Sequence, residues 1–278
     1  GLEEGQAMKK VFCVVAALVM LISAAAALLL YAPFAQDALA KRVATALLGR
    51  GAEPVDGLRV VVCGSASPLG GGGDRAQACI AVVTAEHFFL FDVGARSPQR
   101  MAQARLPMAR INGVFLTHFH SDHIAALPDV NLASWVRGRP ERLDVYGPSG
   151  VESVVDGFNA AYALDRGYRT GHHGAARLPP EIGPMRAHGF NPGDVVWQDD
   201  LLTVTSFAVE HPPIEPAAGY RVDYRGRSVV ISGDTNVADA LFAAAQGADL
   251  LLHDGLSCTT LDPMIEAATD LGLPSAEI

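Results

Sequence analysis

The chain has 278 residues, 50% of them hydrophobic and 18% charged, which excludes a disordered polymer and supplies material for one sizeable core. With 21 Lys and Arg against 30 Asp and Glu, the formal net charge of -9 argues against a broad basic face for a nucleic-acid backbone, though not against a local basic strip. Four cysteines are too few for a disulfide-stapled scaffold or a Cys-rich zinc module.

Lys9 and Lys10 precede 24 uncharged positions, Val11 to Phe34. As a helix this run is about 36 Å long, enough to cross a hydrocarbon core of about 30 Å. Basic residues ahead of the run keep the amino end in the cytoplasm and send the remainder out. Met8 is the natural start, with residues 1–7 as an upstream extension. Residues 8–40 are then a transmembrane anchor, which the length favours, or a signal peptide cleaved at Ala38-Leu39-Ala40. The protein is expected on the periplasmic face of the inner membrane, or free in the periplasm after cleavage. In that oxidising compartment Cys63 and Cys79, which flank a Gly-rich loop, form either a disulfide or two buried thiols. Cys13 lies in the span, and Cys258 is read as a lone thiol.

Residues 41–57 read as a linker with a helical beginning, and residues 58–278 as one domain. Strands are expected at Leu58–Cys63, Ile80–Thr84, Phe88–Asp92, Val114–Thr117, Leu143–Tyr146, Leu202–Phe207, Gly219–Tyr224, Ser228–Ser232 and Leu250–His253. Tyr224 to Arg227 is a tight hairpin turn. Helical patterns occupy Pro98–Ala104, Ile124–Val136, Gly150–Leu164, Val237–Gln246 and Pro263–Leu271. The glycines of Leu69–Gly73 lack the Gly-Lys-Ser/Thr ending of a phosphate loop and read as a flexible loop. Mixed strands and helices imply α/β layers, with sheets covered by helices.

Thr117-His118-Phe119-His120-Ser121-Asp122-His123 follows one expected strand and opens a helix. Four metal-capable side chains in six residues are not spent on packing, because a buried aspartate beside three imidazoles requires a cation. His118 and His120 alternate with Phe119 and share one side of the strand end. Asp122 and His123 come after the turn and reach toward a second ion.

This loop resembles the His-x-His-x-Asp-His hallmark of the metallo-β-lactamase superfamily, and further motifs are similar to its ribonuclease Z-like branch. Glu210-His211 stands eight residues before Gly219-Tyr220-Arg221. Ser232-Gly233-Asp234-Thr235 follows a strand, as does Leu252-His253-Asp254, and Asp92 ends another. The resemblance implies a four-layer αββα sandwich. It also implies two Zn²⁺ ions, one held by His118, His120, His211 and Asp234, the other by Asp122, His123 and Asp234. A hydroxide activated between the two ions would attack the ester, with Asp122 orienting it and His253 assisting the leaving group. Asp92 supports the site from behind. The branch also supplies a C-terminal histidine ligand after a further strand, which is not among these 278 residues. The domain is therefore read as incomplete at its C-terminus, and the alternative is a weakened second metal site.

The resemblance implies phosphodiester hydrolysis, with arylsulfatase-type sulfate ester hydrolysis as the nearest alternative. Lactone or β-lactam hydrolysis and an inactive metal-binding domain stand further off. Only Tyr224 to Arg227 fills the place of the long arm with which transfer RNA-processing members grip their substrate. With the acidic charge and the export signal, a small anionic ester is therefore expected in preference to tRNA. A homodimer is left open. His172 and His173 are candidate substrate contacts in a Gly- and Pro-rich insertion. His87, His188, Trp135, Trp197 and Tyr220 are assigned to turns, loops and packing. Arg75 and Arg96 stand near the edge of the site, where they either attract an anion or are simply solvated.

Overall fold

A computed structural model describes residues 2–48, 55–68, 73–255 and 258–272. It divides into two compact units, Gly1–Ala52 and Glu53–Ile278. The first unit consists of α1 (Leu2–Tyr31) and α2 (Pro33–Leu48). Pro33 is tolerated at the first position of α2, where its missing N–H costs nothing. Within α1, Met8–Leu28 is long and apolar enough to cross a membrane, and none of it is buried. Most of the linker's second half, and residues 69–72 of the Gly-rich loop, lie outside the described residues, as do the final residues 273–278.

The second unit is a four-layer αββα sandwich. One sheet runs in the order β1 (Arg59–Gly64), β2 (Cys79–Val83), β3 (Phe88–Phe91), β4 (Gly113–Phe115), β5 (Asp144–Pro148), β6 (Arg186–Phe190). Its first three strands are antiparallel and β3 to β6 are parallel. The other sheet runs β11 (Leu250–Leu252), β10 (Arg227–Ile231), β9 (Ala218–Tyr224), β8 (Leu202–Ala208), β7 (Val195–Gln198). Strand alternation builds the layers. Phe89 and Phe91 face the second sheet and pack with Phe115, Leu202, Tyr220 and Val222. Phe88 and Leu90 point the other way, into a core shared with Met101 of α3 (Ser97–Gln103), Leu127 and Val130 of α5 (Leu127–Trp135) and Val151 and Val155 of α6 (Val151–Ala161). Leu241 of α8 (Asp239–Ala245) covers the outer face of the second sheet against Val230.

Several sequence expectations need correction. The helix expected from Ile124 is two pieces, α4 (Ser121–Ile124) and α5, separated at Ala125–Ala126, with Pro128 in the first turn of α5. The helix expected over Gly150–Leu164 ends at Ala161, and a second one, α7 (Ala163–His173), follows. Gly167 and Gly171 read as loop residues, yet they sit in α7 with open space around them, at a cost of about 1 kcal/mol each. His172 and His173 therefore end a helix instead of lying in a loop. β6 and β7 occupy stretches read as loop, so His188 is a strand residue. Its Nε2 donates to Asp144 Oδ1 at 2.8 Å, and its ring stacks on Tyr146. Gly189 obscures the strand pattern, yet it pairs with Gly147 of β5, with only the movable Glu152 carboxylate of α6 against it.

Cys63 and Cys79 are joined by a disulfide across a sequence separation of 16. Replacing both with serine is expected to lower stability by about 3 kcal/mol, because the closed loop no longer restricts the unfolded chain. Urea unfolding of the double variant checks this, and an unchanged midpoint would show that the bond contributes nothing.

Candidate metal centre

The site forms where the parallel strands β3 and β4 end and loops of the second sheet meet them, the usual place for ligands in α/β sheets. Asp92 follows β3 and binds the backbone of the metal loop, accepting from Thr117 N at 2.8 Å and from Thr117 Oγ1 at 2.8 Å. Its Oδ2 also lies 2.8 Å from His123 Nδ1, which turns His123 Nε2 toward the cluster. Thr117 Oγ1 is 3.0 Å from His118 Nδ1. Thr117 thus aims two imidazoles through one hydroxyl, a role the sequence reading missed, although the residue heads the His-x-His loop. Its carbonyl accepts from Ala218 N at 2.9 Å, which ties the first sheet to β9.

The second sheet brings His211 and Asp234. Glu210 N donates to Thr235 Oγ1 at 3.0 Å and Asn236 N to Glu210 O at 2.7 Å, so the two ligand loops brace each other. Gly233, between Ser232 and Asp234, has φ +65, and a Cβ there would meet the Thr117 side chain at 2.9 Å. Glycine alone lets this turn approach the metal loop closely.

Two donor sets result, each with ligand atoms within 4.8 Å of one another: His118, His120 and His211, and His118, His123 and Asp234. His120 Nδ1 lies 2.9 Å from His118 Nε2 and 3.3 Å from His211 Nε2. His123 Nε2 lies 3.3 Å from Asp234 Oδ2 and 3.6 Å from the buried Asp122. His118 lies close to both sets, but with Nδ1 engaged by Thr117 its one free nitrogen can serve a single ion, whereas the two oxygens of Asp234 can serve two. His253 stands half-exposed on the rim, with Nδ1 2.6 Å from the Asp254 carbonyl and 2.9 Å from its carboxylate. His172 and His173 contact each other, edge to face, and belong to neither donor set. His87, assigned to a turn, is a buried packing residue 2.7 Å from Asp199 and edge-on to Trp197.

The electrostatics fit a cation. Burial, and then the charge of His123, push His118 down to about 4, which leaves a neutral imidazole with a free lone pair. Burial works against a charged His123, but Asp92 and then Asp234 outweigh it and hold the group up to about 10. Burial also works to raise Asp234, yet the His123 hydrogen bond and charge keep its carboxyl below the usual range. Because the folded pKa of His123 is raised, its proton is held throughout the neutral range and must leave before the ring can bind a metal. Divalent metal affinity is therefore expected to fall about tenfold per unit as pH drops through that range, with a proton released on binding. Calorimetry in buffers of different ionisation enthalpy measures the release; zero release at neutral pH would show that His123 is already neutral.

A buried His/Asp cluster at the mouth of an αββα sandwich defines the class: a metal-dependent hydrolase of the metallo-β-lactamase fold. Residues 88–275 match the model of the family described as "Beta-lactamase superfamily domain". A ribonuclease Z of Mycobacterium bovis is 37% identical over 199 residues, which are 70% of this chain and 69% of that protein. The ribonuclease Z of Mycobacterium marinum is 36% identical over 199 residues, 70% of each. In fold the chain is similar to the short form of human tRNase Z, with a TM-score of 0.57, 22% identity and 73% and 81% of the two chains covered. It is also similar to a metallo-β-lactamase fold protein of Bacillus subtilis, with a TM-score of 0.53, 19% identity and 70% of each covered. The chain belongs to the beta-lactamase superfamily and, within it, to the ribonuclease Z type of metal-dependent hydrolases acting on phosphodiester bonds.

These relatives overturn one expectation. A small anionic ester, with tRNA disfavoured, was expected from the net charge and the missing arm; the curated relatives are named as ribonucleases. Net charge misled because it sums the whole surface, whereas a phosphate backbone is held by a few local contacts.

Proposed function

We propose that this protein is a membrane-anchored, zinc-dependent ribonuclease, with one ion held by His118, His120, His211 and Asp234 and the other by Asp122, His123 and Asp234. The convergence of imidazoles and a carboxylate on His118 carries the reading, since these are the donor types of catalytic zinc sites with an open position. Zinc, when bound, supplies Lewis acidity and lowers the pKa of water toward neutrality. Asp122, buried beside His123, is placed to accept the proton of the attacking water. His253, which donates Nδ1–H to the Asp254 carbonyl, would assist the leaving oxygen. His172 and His173, exposed at the end of α7, are offered to the substrate beyond the metal ligands.

The anchor reading is supported by the apolar exposed Met8–Leu28 behind Lys9 and Lys10. An exported domain also agrees with the Cys63–Cys79 disulfide, since such bonds persist in oxidising compartments. The test is metal content of the detergent-purified chain together with cleavage of labelled RNA, before and after chelation. Two zinc ions and chelator-sensitive cleavage are expected. A zinc-loaded chain that leaves RNA intact would sink the proposal.

A further inference from the structure

Between Asp92 and Asp122 the chain contains four arginines and no Asp, Glu or Lys, in a protein of net charge -9. The stretch starts at the metal centre. Val93 N donates to His123 O at 2.7 Å, and Gly94 packs so tightly under Asp122 that a Cβ there would lie 2.0 Å from its carbonyl oxygen. Two residues on, Arg96 turns out to the surface, with its side chain 55% exposed. Arg96 and Arg100 lie side by side, both reaching the Gly73–Asp74 backbone, Arg96 Nη1 at 2.9 Å from Gly73 O. Arg105 is exposed just past the end of α3, and Arg110 reaches the Ala85 carbonyl in the turn before β3.

Arg96 and Arg105 have φ of 69° and 53°, a left-handed backbone that glycine or asparagine adopts at lower cost. Keeping arginine at both positions spends backbone energy on a guanidinium. The nearby Asp74 does not cancel the charge: it is 3.5 Å from Arg96 and its side chain is 96% exposed, a geometry in which pairing contributes little.

The seven residues of α3 between Arg96 and Arg105 rise about 10 Å, on the order of three phosphates at the 3.4 Å axial spacing of one duplex strand. Guanidinium groups pair with phosphate oxygens in a fixed fork. We infer that Arg96, Arg100 and Arg105 form a track for the RNA backbone leading to the metal centre, the local basic strip that the net charge conceals. This inference rests on the ribonuclease reading and assigns it a substrate-binding surface.

The test is fluorescence anisotropy of a labelled hairpin RNA with the full chain in detergent, with chelator present so that the RNA is not cut. In the triple variant Arg96→Glu, Arg100→Glu, Arg105→Glu the Kd is expected to rise at least tenfold. The slope of log affinity against log salt should also fall by about 2, given roughly 0.7 per phosphate contact. The triple variant to lysine keeps the charges and should restore binding to within a few-fold, which separates the track from a folding defect. An unchanged Kd and slope, no RNA binding by the parent chain, or lost binding to phosphatidylserine vesicles alone would each overturn the track. The two proposals fail separately. A chain that cuts RNA with a KM indifferent to the charge reversal loses only the track. One that binds RNA through these arginines but never cuts it with zinc loses only the ribonuclease reading.

Discussion

His118→Ala is expected to abolish both metal binding and phosphodiester hydrolysis, with kcat/KM falling at least 10³-fold, or about 4 kcal/mol of transition-state stabilisation. The reason is its place, fully buried at the centre of the cluster and fixed by Thr117, whereas His211 is only partly buried at its edge. His118 is also fully buried, so its loss leaves a void that no solvent-exposed ligand fills. His211→Ala should therefore retain more metal than His118→Ala. Metal analysis of the two purified variants decides the point. Equal metal content in both would show that the buried central histidine matters no more to binding than the one at the edge.

Gly94→Ala should be among the most damaging one-methyl changes in the domain. The added Cβ would lie 2.0 Å from Asp122 O, 2.6 Å from Gln77 Cβ and 2.8 Å from Gln77 C. The nearest atom and one other are backbone, and hydrogen bonds hold them in place: Gly94 N to Ala78 O at 2.8 Å and Gln77 N to Ala95 O at 3.0 Å. No flexible side-chain end is available to move aside. The expected cost is about 3 kcal/mol or more, which for a domain of this size lowers Tm by roughly 6–12 °C. Because the displaced group is the Asp122 backbone, metal affinity should fall as well. Gly157→Ala provides the control, since this helical glycine has nothing within 4 Å of the new Cβ and the change should raise stability by up to about 1 kcal/mol. Thermal melts and metal titration of both variants test the argument. A Gly94→Ala protein with parental Tm and metal content would refute it.

Much of this protein was legible in its residues. The run His118 to His123 at a strand end, the strand-end Asp92 and the Ser232 to Thr235 turn marked both the superfamily and the place of the metal centre. Strands rich in Val, Phe and Ile were legible because a central strand must bury both faces, and that demand is written locally. β6 and β7 were not. Gly189 belongs to a strand because it pairs with Gly147 of β5, and no local pattern reports a neighbour 42 positions away. In α7 the helix overrode two glycines for the same kind of reason, with Thr170 Oγ1 bonding Leu178 O and Arg166 packed over Gly183.

The residue types at the centre, and the chemistry open to them, were therefore determined by the sequence alone. Which of them share a metal was decided by tertiary structure. His120 and His211 are 91 residues apart, and the 3.3 Å between them exists only because two sheets converge through Thr117 and Ala218. The same holds for charge: composition gives a sum of -9, while the fold decides that Arg96 and Arg100 lie side by side. Ligation and phosphate binding act over a few ångströms, and distances on that scale are properties of the folded chain.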